Sequence, residues 1–112
     1  MESEYRVEIY ANKNGEEPFS KWLKSLKHKN LQSLVFQRLQ RIKLGNFGDC
    51  KPLNNGIWEF RIHSGAGYRL YYSRIAKKVI LLLCGGGKSS QNKDIALAAK
   101  YLEDHRRRSN EK

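Results

Sequence analysis

Cysteine is nearly absent: Cys50 and Cys84 are the only two in 112 residues, and neither has a second Cys or a His at zinc-site spacing. A disulfide framework of the kind that staples small secreted domains is therefore not expected. Both thiols are read as reduced and structural, and no metal or cofactor is expected. Long apolar runs are also missing. The longest, residues 79–84, falls far short of the roughly 20 residues a membrane span requires. No signal-peptide pattern is read at the N terminus, so the expectation is a cytoplasmic protein with no membrane partner. Internal repeats and Pro/Gly/Ser-rich linkers are lacking as well. Residues 1–105 read as a single domain, and residues 106–112 as a basic tail expected to be disordered.

Acidic residues are the next scarcity. Lys and Arg total 22 against 11 Asp and Glu, a formal charge of +11. Residues 18–48 and 60–93 contain no acid at all, whereas the first 17 residues hold five glutamates. The cationic blocks coincide with the segments that pattern as structured, which predicts a polyanionic partner, with nucleic acid first among the candidates. A solvated surface with an accidental bias is the bland alternative.

The hydrophobic pattern defines an order of elements. In residues 5–10, Tyr5, Val7 and Ile9 alternate with polar neighbours, the period of a half-buried strand. After a polar turn at 12–17, Pro18 suits the first position of a helix whose Phe19, Trp22, Leu23 and Leu26 fall at i, i+3, i+4 and i+7. That stripe is read as core, with a partner groove as the lesser alternative. Leu31, Leu34, Val35, Leu39 and Ile42 carry a second helix over 30–44, which Gly45 ends, completing a helical hairpin. Three strand-like runs follow at 57–63, 68–74 and 79–85, joined by residues 64–67 and 75–78, as in an antiparallel meander. Gly85-Gly86-Gly87 is expected to break the last strand. Ser89 or Ser90 is expected to cap a final helix with Ile95, Ala98, Ala99 and Leu102 on its buried stripe. The predicted fold is α+β, with the helices on one sheet face and the other face free for function.

Strand alternation then sorts the side chains. Trp58, Phe60, Ile62, Tyr68, Leu70 and Tyr72 are assigned to the core, and Glu59, Arg61, His63, Arg69, Tyr71 and Ser73 to the opposite face. Pattern alone leaves a solvated face with exposed ion pairs as the equal alternative. Chemically, metal-free RNA cleavage needs a proton acceptor for the 2′-OH, cations for the phosphorane-like anion and a donor for the 5′ oxygen. His, Glu, Lys and Arg supply these.

The stretch Gly85-Gly86-Gly87-Lys88-Ser89-Ser90 joins a strand to a helix, so its N–H groups and Lys88 suit a phosphate. A P-loop is excluded, because GxxxxGK[ST] needs glycine where Leu82 stands. A flexible turn with a helix cap is the alternative. His28 and His105 are read as solvated, and Tyr5 and Tyr10 as ordinary strand residues.

Together, LGNFGDCKPLNNGIWEFRI, GAGYRLYY and LLLCGGGKSSQNKDI make the chain similar to the RelE/HigB toxin superfamily, in particular its addiction-module killer-protein branch. The resemblance spans nearly the whole chain and implies a RelE/ParE-like small domain. It also implies an endoribonuclease toxin of a type II toxin–antitoxin system, cutting ribosome-associated mRNA by 2′-OH attack without metal. The implied partners are mRNA, the ribosome and a cognate antitoxin with a helix-turn-helix domain, operator DNA being reached only through that antitoxin. By the same resemblance Arg69 matches the arginine that stabilises the scissile phosphate, and Arg61 a basic strand position. Lys88, Lys51, Tyr71 and Ser89 are the RNA- or phosphate-binding candidates. Glu59 stands where well-known ribosome-dependent members carry lysine, Ser89 where they carry arginine, and Ile95 near the place of a functional tyrosine. General acid and base thus stay open between Glu59 and His63. The related ParE toxins, which poison DNA gyrase by protein binding, and a non-catalytic antitoxin-binding relative are the other readings.

Overall fold

A computed structural model describes residues 4–27, 29–63 and 67–110. The alternation near the N terminus becomes β1 (Arg6–Ile9), and Pro18 opens α1 (Pro18–Ser25). α2 (Lys29–Lys43) completes the hairpin, and Gly45, at φ 87°, turns the chain out of it. His28 lies outside the described residues, as do Ser64, Gly65 and Ala66 of the expected turn.

The three-strand expectation holds, with the first strand shorter and the other two longer than expected, and with one addition. β3 (Trp58–Ile62), β4 (Tyr68–Ala76) and β5 (Val79–Gly87) form the antiparallel meander. Ahead of them β2 (Cys50–Pro52) pairs with β3, and β1 adds to β5 in parallel, giving the sheet order β1-β5-β4-β3-β2. β2 has only three residues and ends in proline, too short to show a period. Proline there is tolerated because β2 is an edge strand.

The glycine run does not break β5. Gly85 and Gly86 stay in register opposite Leu70 and Arg69. A Cβ on Gly85 would lie 2.5 Å from the Trp22 ring, and one on Gly86 only 1.8 Å from Asp94 Oδ2. Here glycine serves close approach on both faces of a strand rather than its termination. A 3-10 turn (Lys88–Ser90) follows, with Gly87 as its N-cap and no side-chain cap; Ser90 instead donates to Asp94 Oδ2 at 2.6 Å.

Helices cover both faces of the sheet, which corrects the expectation of one free face. On one side α1 and α2 pack Phe19, Val35 and Ile42 against Phe60, Leu70, Tyr72, Ile80 and Leu82. On the other, α3 (Gln91–Asn110) lays Ala98 and Leu102 over Ile57, Tyr71, Leu81 and Leu83. The apolar character of β5 on both faces requires this double cover. Each fully buried side chain of this size contributes about 1.5–3 kcal/mol, so neither layer is dispensable.

The basic tail is likewise corrected over most of its length: α3 continues through Arg106, Arg107 and Arg108 to Asn110. Asp104 accepts from Arg107 and Arg108 one turn on, and Arg108 also donates to the Ala11 carbonyl, tying this end of α3 to the chain after β1. Tyr10 joins the same latch. It is buried, stacks on Tyr101 with centroids 5.0 Å apart, and donates its hydroxyl to Asp104 at 2.6 Å. Burial, then the Asp104 hydrogen bond, push the Tyr10 hydroxyl up to about 12. A raised folded-state value makes its contribution complete below the ordinary value near 10 and lost as pH climbs towards 12. Urea midpoints should therefore fall across that window. In Tyr10→Phe the midpoint should be lower at neutral pH and decline less steeply; an identical alkaline slope would remove Tyr10 from the account.

Candidate functional site

The register of β2, β3 and β4 assembles the site. Lys51 stands opposite Glu59, Glu59 opposite Tyr71, and Arg61 opposite Arg69. Because these residues share one pleat face, their side chains converge beneath the start of α3. Glu59 is fully buried, at 0 % exposure. Its Oε1 lies 3.2 Å from Arg61 Nε and 3.9 Å from Lys51 Nζ, and its Oε2 3.3 Å from Arg69 Nε. Gln91, at the first position of α3, donates to Oε2 at 2.7 Å. A carboxylate taken out of water is costly unless paired and hydrogen-bonded, and four groups from four elements meet that requirement here.

The cover over this carboxylate is open on the cationic side. The Lys51 and Arg61 side chains are 51% and 34% exposed, and that of Arg69 14%. Arg61 and Arg69 both reach Glu59 through Nε, and among the described residues their outer Nη groups have no partner, which leaves them to an anion. The pairing with Arg69 is also incomplete. Although the distance is that of an ion pair, the N–H is not aimed at Oε2, leaving a buried donor with no hydrogen-bond partner among the described residues. The Tyr71 hydroxyl beside it is buried and unpartnered in the same sense, and burial followed by the Glu59 charge pushes it far above the usual tyrosine range. Orphaned buried donors are rare in native proteins.

The other sequence candidates fall outside this cluster. His63 is exposed and pairs through Nε2 with Asp49 Oδ2. That hydrogen bond is the main cause holding the Asp49 carboxyl below the ordinary carboxylate range. Lys88 and Ser89 are exposed on the 3-10 turn, two and three residues past Gly86, the register partner of Arg69. Among the described residues neither bonds to Glu59.

Gln91 went unread as a site residue. It lies in the quoted Gly-Lys-Ser-Ser-Gln stretch, yet nothing local distinguishes it from any polar first-turn residue. Its role depends on the fold bringing residues 32 positions apart into contact. Replacing it with Leu should loosen Glu59 and lower stability while the protein remains folded, since one hydrogen bond to a charged group is worth roughly 1.5–3 kcal/mol. An unchanged urea midpoint in Gln91→Leu would make that contact incidental.

Fold and site together define a small, basic α+β domain with a buried carboxylate that gathers cations at the surface. The chain belongs to the Gp49-like family: residues 21–103, from α1 into α3 and including the whole site, match "Phage derived protein Gp49-like (DUF891)". That family lies within the RelE/HigB-like toxin superfamily. Over 80 residues the chain is also 45% identical to an uncharacterized protein of Haemophilus influenzae, a span of 71% of this chain and 81% of that relative. Among the described residues no helix is long and apolar enough to cross a membrane.

Proposed function

We propose that this protein is the toxin of a toxin–antitoxin pair, of the addiction-module killer-protein branch, and that it cleaves ribosome-associated mRNA in the cytoplasm. The observation that carries the proposal is the Glu59 cluster: one buried carboxylate shared by Arg61, Arg69, Lys51 and Gln91, with guanidinium donors left over for a phosphate.

The chemistry follows from what an incoming phosphate does to these pairs. Its oxygens compete for the two guanidinium groups, and the Glu59 carboxylate, relieved of part of its pairing, gains a free lone pair. The exposed Lys51 and Arg61 side chains that cover the carboxylate move outward with the phosphate, which uncovers it, and Glu59 then takes the proton of the adjacent 2′-OH. The 2′-oxygen forms a bond to phosphorus, the P–O5′ bond breaks, and the departing 5′ oxygen takes a proton from solvent or a nearby acid. The products are a 2′,3′-cyclic phosphate and a 5′-hydroxyl. Arg61 and Arg69 stabilise the charge that builds on the phosphorane, where preorganised donors act most strongly. Glu59, which lies against both arginines, is taken as the base in preference to His63, whose Nε2 pairs with Asp49. Lys88, Lys51 and the wider +11 charge attract the RNA backbone. A cognate antitoxin with a helix-turn-helix domain is the expected neutralising partner, and operator DNA is reached through it.

Two assays on the purified protein test the proposal together: cleavage of mRNA on programmed ribosomes, and inhibition of gyrase supercoiling. Cleavage without gyrase inhibition is the expected result. Gyrase inhibition without cleavage would overturn the nuclease reading.

A further inference from the structure

Next to the Glu59 cluster, the chain between β2 and β3 and the outer side of α3 enclose a cleft of about 510 Å3, lined by Leu53, Asn54, Asn55, Ile57, Ile95 and Ala99 together with Pro52. Its position follows from periodicity. Two residues along a strand return the side chain to the same face about 6.6 Å away, which relates Ile57 to Glu59. One helical turn of about 5.4 Å relates Ile95 to Gln91. The chain leaving β2 carries Leu53 two residues beyond Lys51, and its N–H bonds the Ile57 carbonyl at 2.7 Å. The three walls of the ion cluster thus continue into three walls of the cleft, displaced by roughly 6 Å.

Its chemistry contrasts with that of its neighbour. Among the described residues no charged side chain lines it: Ile57 is the buried floor, Leu53, Ile95 and Ala99 form half-buried apolar sides, and the exposed Asn54 and Asn55 bring amides to the rim. A neutral apolar slot one step from a cationic site matches the alternation of a nucleotide, whose flat uncharged base lies one step from an anionic phosphate. We infer that the cleft is a nucleobase subsite, receiving the base of a nucleotide next to the phosphate held by Arg61 and Arg69. This rests on the reading of the Glu59 cluster as the phosphate site. The volume lies within the range of small-ligand sites. Single-stranded RNA can splay a base away from its stack, and amide side chains match the paired donor and acceptor of a base edge. An acidic peptide from a protein partner is the competing occupant.

The test is the binding of the full-length protein to short oligoribonucleotides carrying a 2′-deoxy residue at the cut position, with all bases present or with the base removed at one flanking position. For the wild type, one abasic position should weaken binding roughly tenfold, the scale of one seated base. Ala99→Phe, which fills the cleft from the α3 side and leaves the Glu59 cluster intact, should bind the complete oligonucleotide roughly tenfold more weakly and ignore the missing base. Asn54→Ala should lose part of the discrimination and serves where the Ala99 variant fails to fold. Binding that falls steeply with salt yet is blind to the base at every flanking position would overturn the subsite and leave the phosphate reading standing. Loss of antitoxin capture by Ala99→Phe in a base-blind protein would assign the cleft to a peptide instead. Absence of salt-dependent RNA binding would overturn the phosphate reading and the subsite with it.

Discussion

Glu59→Gln is expected to lower the rate of RNA cleavage by about 10²–10⁴, the range contributed by a positioned general base. The substitution keeps the shape of the side chain and an acceptor for Gln91 but removes the charge that takes the 2′-OH proton. Arg69→Ala should cost about 10²–10³ for a different reason, the loss of a donor aimed at developing negative charge. The two are separated by binding to RNA carrying a 2′-deoxy residue at the cut position. Glu59→Gln removes a negative charge beside the phosphate and should bind that RNA at least as tightly as the wild type, whereas Arg69→Ala should bind it more weakly. Glu59→Gln leaves partly exposed cations without their partner, and Arg69→Ala takes one of three cations from the fully buried Glu59, so both should also lower stability, by about 3 kcal/mol or less because Arg61 and Lys51 are exposed. Arg69→Lys controls for this: it keeps the charge and should fold, yet it cannot reproduce the two-pronged contact and should stay impaired. Wild-type cleavage by a folded Glu59→Gln protein would remove Glu59 from the chemistry.

Gly86→Ala is expected to be the most destabilising of the alanine substitutions at the β5 glycines. Its Cβ would sit 1.8 Å from Asp94 Oδ2 and 3.0 Å from Ser90 Oγ, so the beginning of α3 must lift or the strand must shift. Overpacking of this kind costs typically 1–3 kcal/mol and occasionally more. In a domain of this size 3 kcal/mol corresponds to a fall in Tm of roughly 13 °C. Because Gln91 lies on the displaced turn, activity should drop beyond what instability explains. Gly85→Ala, 2.5 Å from Trp22, should be nearly as costly, whereas Gly87→Ala, with nothing within 4 Å, should be nearly neutral. Equal melting temperatures for the Gly86 and Gly87 variants would contradict the packing described here.

Periodicity made much of this fold legible. The i, i+3, i+4, i+7 stripes delivered α1 and α2 almost to the residue, and strand alternation correctly placed Glu59, Arg61, Arg69 and Tyr71 on one face. What alternation cannot show is whether that face is covered. α3 covers it, which turned an expected open surface into a buried carboxylate under a cationic rim. The glycine run was misread because a glycine that permits a turn and one that permits close contact look identical in sequence; only Trp22 and Asp94 distinguish them. The arginine tail was misread because its helix depends on Asp104 and on a carbonyl 97 residues away. Gln91 and β2 were missed for related reasons: each owes its position to a partner rather than to a local pattern.

The most direct test of the central claim is to map the ends of cellular RNA after brief expression of the wild-type protein and of Arg69→Ala, recording both the position and the chemistry of each new end. The predicted result is a set of 5′-hydroxyl ends within translated codons that accompanies growth arrest and is absent from the Arg69→Ala cells. Growth arrest with no new RNA ends, or the same ends at the same abundance in the Arg69→Ala cells, would contradict it.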